Sequence, residues 1–171
     1  MGLSMQLKDK TAIITGGGSG FGASMADLFA KNGAKVIVAD IHIDNAKKIA
    51  EHIGGYPIEV DVSNAGSVEQ MKEKVFDEND KVDILVNNAG TTHLPAPMET
   101  IEEDEFDRVF NVNCKSVYLT AKHFVPHFKE NKSGVILNIA STAGVSPRPN
   151  LNWYNSSKGW MILASKTMAV E

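Results

Sequence analysis

Cysteine is nearly missing from this sequence: Cys114 is the one example in 171 residues. A lone thiol cannot form an internal disulfide, so a stapled extracellular scaffold is excluded. A reducing compartment, by default the cytoplasm, is expected. Long apolar runs are missing as well. No uninterrupted stretch approaches the ~18 residues of a membrane span. The first ten residues, MGLSMQLKDK, hold no apolar segment of the kind a secretory signal needs. Excess positive charge is absent too. The formal net charge of −4 gives the chain no electrostatic reason to seek nucleic acid or an anionic membrane. Internal repeats, low-complexity linkers and marks of a domain boundary are not found. With 43% hydrophobic and 22% charged residues, one domain spanning 1–171 with a real core is expected.

What the sequence does have is alternation. Aliphatic runs at 12–15, 35–39, 58–60, 84–87 and 135–139 carry Val and Ile almost continuously, as strands covered on both faces do. Helix-period segments separate them. One runs over 21–31 and is stopped by Gly33. Another covers 45–52, capped by Asp44 and closed by Gly54-Gly55. A third covers 68–76, a long one runs from 105 to about 128, and the last runs from Tyr154 onward. Pro126 is placed to kink or shorten the long helix. Strands alternating with helices through short connections imply right-handed crossovers and a doubly wound parallel sheet with helices on both faces, a three-layer α/β/α arrangement. Ligands of such sheets bind beyond the carboxyl ends of the strands, where strand order reverses. Here those ends are 16–22, Asp40, Asp61, Asn88-Ala89-Gly90 and Ala140-Ser141, all small or polar. Together they read as one binding cleft.

The run Thr15-Gly16-Gly17-Gly18-Ser19-Gly20-Phe21-Gly22 follows a strand and opens a helix. Helix N-termini offer unpaired N–H groups and about half a positive charge, which suits a pyrophosphate. Glycines let the phosphates approach without meeting a Cβ. Asp40 ends the next strand, where an acidic residue accepts hydrogen bonds from the adenosine ribose hydroxyls. A carboxylate there repels a 2′-phosphate. Ser19 occupies the loop position, and Ile41 and His42 follow Asp40, so no arginine awaits that phosphate. NAD(H) is therefore favoured over NADP(H).

Near the far end stands Tyr154-Asn155-Ser156-Ser157-Lys158. Tyrosine and lysine four apart lie on one helical face. A free phenol, with a pKa of about 10, is a poor proton-transfer group at neutral pH. A neighbouring ammonium favours the phenolate, so the pair can exchange a proton with a carbonyl or an alcohol.

Taken together, these segments resemble the short-chain dehydrogenase/reductase family in its TGxxxGxG subtype. The glycine run fits the family's cofactor loop, Asn87-Asn88-Ala89-Gly90 its NNAG, and Tyr154 with Lys158 its YxxxK. Phe110-Asn111-Val112-Asn113 resembles the segment carrying the family's asparagine, assigned to Asn113, and Ser141 stands at the catalytic serine's spacing from Tyr154. The resemblance implies a Rossmann-type domain. It also implies Tyr154 as acid/base, Ser141 as the group polarising the substrate oxygen, Lys158 as tyrosine tuner and ribose ligand, and Asn113 as holder of a relay water. Cofactor contacts are implied at Gly16, Gly18, Ser19, Gly20, Phe21, Gly22, Asp40, Ile41, Asp61, Val62, Asn88, Ala89 and Gly90, with Tyr154 and Lys158. Thr15 reads as a structural hydrogen bonder. The implied reaction interconverts a secondary alcohol and a ketone, with a sugar, a polyol or another small alcohol as substrate. A 3-oxoacyl-thioester reductase and a non-catalytic nucleotide-binding regulator are the alternatives. Family likeness also implies a homotetramer pairing through 104–128 and the Tyr154 helix, a small-molecule partner, and no metal. His123 and His127, one helical turn apart, lack an evident third ligand.

The pattern stops in mid-helix at Lys166-Thr167-Met168-Ala169-Val170-Glu171, and 134–139 would leave an apolar sheet edge. The expectation is a domain incomplete at its C-terminus, poorly soluble or inactive if made at this length.

Overall fold

The structure, a computed structural model, describes residues 6–171. Strand β1 (Thr11–Thr15) is buried along its whole length. Successive side chains of a strand point to opposite faces, and here both faces are covered. Ile13 joins a core with Leu85, Met71 and Phe124, and Ile14 joins a second with Val38, Ala26 and Val86. Each such side chain, fully buried, contributes about 1.5–3 kcal/mol. After β1 come α1 (Gly20–Lys31), β2 (Lys35–Asp40), α2 (Ile43–Ile53), β3 (Tyr56–Glu59), α3 (Ala65–Glu78) and β4 (Ile84–Asn87). Helices α4 (Glu103–Phe110) and α5 (Ser116–Glu130), strand β5 (Val135–Asn138) and helix α6 (Asn152–Met168) complete the order. The alanines of α1 and α2 let these helices sit close on one face, while the larger residues of α3 and α5 fill the other.

All strands are parallel, in the order β3-β2-β1-β4-β5. The chain leaves β1 toward β2 and later returns to pair β4 on the other side of β1. Strand order therefore reverses between β1 and β4, and ligands of such sheets bind beyond the strand ends at this switch point. Strand β5 lies at the edge, with Val135 58% and Leu137 41% exposed.

Several boundaries differ from the sequence reading, each for a physical reason. The third strand begins at Tyr56 and includes Pro57. It is an edge strand, where a residue without an N–H is tolerated. Helix α2 starts at Ile43, with His42 at the cap and no side-chain capping bond, so Asp44 stands inside the first turn rather than capping it. The long helix expected from 105 is interrupted: α4 ends at Phe110, a π-helical turn covers Asn111–Lys115, and α5 follows. Pro126 lies within α5, which continues to Glu130.

Candidate active site

The glycine loop is built for close approach. Gly16 and Gly20 have φ of +61° and +51°, a region that side chains disfavour. A Cβ at Gly22 would lie 2.0 Å from the Gly16 carbonyl oxygen, so the start of α1 can pack beneath the loop only without one. Thr15 Oγ1 donates to the Val86 carbonyl and accepts from the N–H groups of Asn88 and Ala89. Asn88 Nδ2 donates back to the carbonyls of Thr15 and Gly16 at 2.8 and 3.1 Å. Thr15 and Asn88 thus stitch the two loops of the switch point together. Ser19, at the N-cap of α1, makes no side-chain capping bond, and Phe21 is 82% exposed.

Asp40 ends β2 beside this loop, with its carboxylate accepting the N–H groups of Gly18 and His42. Ile41 is 56% exposed next to it. Asp61 Oδ1 accepts from both the N–H and the hydroxyl of Ser63, while the Val62 side chain belongs to the core.

The second half of the site gathers around the first two turns of α6. Lys158 is 5% exposed and donates from Nζ to the Ile139 carbonyl at 2.8 Å. A Cβ at Gly90 would lie 3.4 Å from both Lys158 Nζ and Asn113 Oδ1, so the loop after β4, the π turn and α6 meet at one point. Ser141 caps a short 3₁₀ turn, Thr142–Gly144, its Oγ accepting the Ala143 N–H at 3.1 Å. That turn packs directly on α6, since a Cβ at Gly144 would lie 2.7 Å from the Lys158 carbonyl carbon. Asn113 is fully buried. It accepts the Thr91 N–H at 2.8 Å and donates to the Thr91 carbonyl and to Ser157 Oγ, both at 2.9 Å.

Burial dominates the electrostatics here. Desolvation holds the Lys158 ammonium below its ordinary range, with only the nearby Cys114 pulling the other way. Desolvation likewise pushes the Cys114 thiol up to about 11, and the Lys158 charge opposes it.

Four participants make bonds here that their sequence positions do not announce. Thr91 is the loop residue that Asn113 grips. Ser157, completely buried, bridges Asn113 to the Tyr154 carbonyl. Arg108 on α4 reaches back to Thr91 Oγ1 and to the Thr92 carbonyl, while pairing with Glu105 at 2.7 Å. Asn87 stands in the sequence only as part of its motif, yet it carries a bond network of its own. None has a sequence signal beyond its neighbours. His127 accepts the Val82 N–H at Nε2 and packs on Phe76, a structural task.

Residues 10–171 match the short chain dehydrogenase family. The chain belongs to that family. It is 42% identical to 4-formylbenzenesulfonate dehydrogenase of Comamonas testosteroni over 98% of this chain and 68% of that protein. Among solved structures, the 3-ketoacyl-(acyl-carrier-protein) reductase of Brucella melitensis, complexed with NADH, superposes with a TM-score of 0.95. Its identity is 46%, over 96% of this chain and 71% of that one. An NAD⁺-bound xylitol dehydrogenase superposes with a TM-score of 0.92 at 28% identity, over 96% of this chain and 65% of that one. The chain thus spans about two thirds of the length of these relatives. No helix among its described residues is long and apolar enough to cross a membrane.

Proposed function

We propose that this chain is an NAD(H)-dependent oxidoreductase interconverting a secondary alcohol and a ketone. The observation that carries the reading is the convergence at Lys158: a buried ammonium, one helical turn from Tyr154, touching the loop after β4 and backed by the turn that Ser141 caps. When bound, a nicotinamide dinucleotide supplies hydride exchange with the substrate carbon. The cradle fits it, because Gly16, Gly17, Gly18, Gly20 and Gly22 keep most of the loop free of side chains where it opens a helix N-terminus. Asp40 and Asp61 take the adenosine end, with Ile41 and Val62 adjoining. Asn88, Ala89 and Gly90 line the crevice, and Tyr154 and Lys158 take the nicotinamide end.

In reduction, Tyr154 gives its phenolic proton to the carbonyl oxygen; in oxidation, it takes that proton from the alcohol. Ser141 donates a hydrogen bond to the same oxygen and polarises it. Lys158 stabilises the phenolate left behind. Asn113 holds the loop at Thr91 and the first two turns of α6 in register, and orders a water that returns the proton from solvent.

Asp40 supports NAD(H) over NADP(H), and the two solved structures described above hold NADH and NAD⁺. The polyol relative favours a small alcohol or polyol as substrate. The 46% identity to an acyl-carrier-protein reductase favours a 3-oxoacyl thioester as the second reading. Following NADH absorbance with xylitol-type polyols, secondary alcohols, aromatic aldehydes and an acetoacetyl thioester separates these. NADH binding without turnover on any of them overturns the enzyme reading in favour of a nucleotide-binding regulator.

A further inference from the structure

We infer that Gly18 is a specificity-determining residue: lacking a side chain, it lets the glycine loop pin the Asp40 carboxylate in the orientation that separates NADH from NADPH. The inference rests on the nucleotide-binding reading above. Asp40 is only 7% exposed, and both of its oxygens are held by backbone. Oδ2 accepts the Gly18 N–H from the loop after β1, and Oδ1 accepts the His42 N–H at the start of α2, each at 2.9 Å. Rotating the carboxylate would break two charge-assisted bonds at once. Each oxygen keeps lone-pair capacity for a ribose hydroxyl. A 2′-phosphate would meet a negative charge that cannot turn away.

The missing side chain makes this possible. A Cβ built on Gly18 lies 2.9 Å from Asp40 Oδ2, 3.0 Å from Asp40 Cγ and 2.8 Å from Asn45 Cβ. Asn45 Cβ is fixed to the backbone of α2, so an alanine at position 18 pushes the loop off α2 as well as turning the carboxylate; the first weakens both dinucleotides alike, and the second alters their ratio. Gly18 differs in this from Gly16 and Gly20, whose positive φ already requires glycine. Gly18 is not among the glycines with positive φ, and alanine can adopt its backbone. The requirement is space between Asp40 and α2, and its consequence is selectivity.

Fluorescence titration with NADH and NADPH tests this on the purified wild type and on Gly18→Ala, Asp40→Ala and the double variant. Gly18→Ala is expected to raise the NADH Kd about tenfold more than the NADPH Kd, roughly the worth of one charge-assisted hydrogen bond. The NADPH-to-NADH Kd ratio then falls about tenfold. In the Asp40→Ala background, where no carboxylate remains to displace, Gly18→Ala is expected to change that ratio by less than about twofold. Asp40→Asn keeps the shape but leaves one acceptor oxygen for two N–H donors, and is expected to lower the ratio with position 18 untouched. A wild-type ratio in Gly18→Ala or in Asp40→Asn overturns the inference, as does an equal shift with and without the carboxylate. A wild type that binds neither dinucleotide sinks the nucleotide-binding reading itself.

Discussion

Asn87 and Asn138 meet across the β4–β5 pair, Nδ2 of the first donating to Oδ1 of the second at 2.8 Å. Thr120 Oγ1 donates to the other end of Asn87, and Asn138 Nδ2 donates to Ser165 Oγ, each at 2.9 Å. Four elements, α5, β4, β5 and α6, are thereby tied at one level. The two asparagines end their strands, just ahead of the loops carrying Gly90 and Ser141, so the network sets the relative height of both halves of the site. Asn138→Ala strands Asn87 Nδ2 in a buried setting and is expected to lower stability by about 1–3 kcal/mol. Urea unfolding measures this. A loss within the error of the midpoint would mean that water replaces the asparagine without cost.

Tyr154→Phe keeps the ring and removes the proton. Because general acid–base groups contribute about 10²–10⁴-fold to rate, turnover is expected to fall into that range or below detection. The NADH Kd should change by no more than about a few-fold, because one contact at the nicotinamide end is lost while the cradle, Asp40 and Lys158 are untouched. Absorbance assays and a fluorescence titration read the two quantities side by side. Appreciable turnover in the variant would remove Tyr154 from its role.

The layers of the fold were legible because β1, β2 and β4 are aliphatic on both faces, and helix-period segments separate the strands. Pro57 hid the true start of β3, since a proline argues against a strand until the strand is known to lie at an edge. The π turn at Asn111–Lys115 was invisible, because the apolar spacing of Val109, Val112 and Val117 runs through it without a glycine or proline to mark the change. The tyrosine and lysine of the candidate site could be read from spacing along one helix. Asn113 came from likeness of motif, and its grip on Thr91, made through backbone atoms, leaves no trace in side-chain identity. The Asn87–Asn138 pair depends on the register of strands 51 residues apart, which only the folded sheet defines.

Lys158 offers a pH test whose sign follows from its burial. Desolvation lowers its folded pKa below the ordinary 10.5, so between the lowered value and 10.5 the unfolded chain binds more protons. Unfolding free energy attributable to this group therefore rises with pH through that window, and the full penalty applies below it. Lys158→Met fills similar volume without a charge. It is expected to match or exceed the wild-type melting temperature at pH 7, with wild type gaining on it as pH climbs toward 10.5, while turnover is lost. Melting curves across pH, taken as differences between the two proteins, cancel most of what the other groups contribute. A difference independent of pH would show that the ammonium is solvated.

Cys114 runs the opposite way. Burial pushes its thiol from 9.0 up to about 11, so the folded protein holds this proton more tightly than the unfolded chain. Its contribution to stability is complete below pH 9.0 and is lost as pH rises toward about 11. At pH 8 the thiolate, the reactive species, is about 100-fold scarcer than in an ordinary cysteine. The side chain is also only 6% exposed, its Sγ donating to the Ser157 carbonyl. Iodoacetamide at pH 8 is therefore expected to label the native protein at least about 100-fold more slowly than the urea-unfolded chain, with mass spectrometry reading the adduct. Equal labelling rates would mean that the π turn carrying Asn113 and Cys114 opens freely from Ser157 on α6, and the packing that holds Asn113 in register would then have to be sought elsewhere.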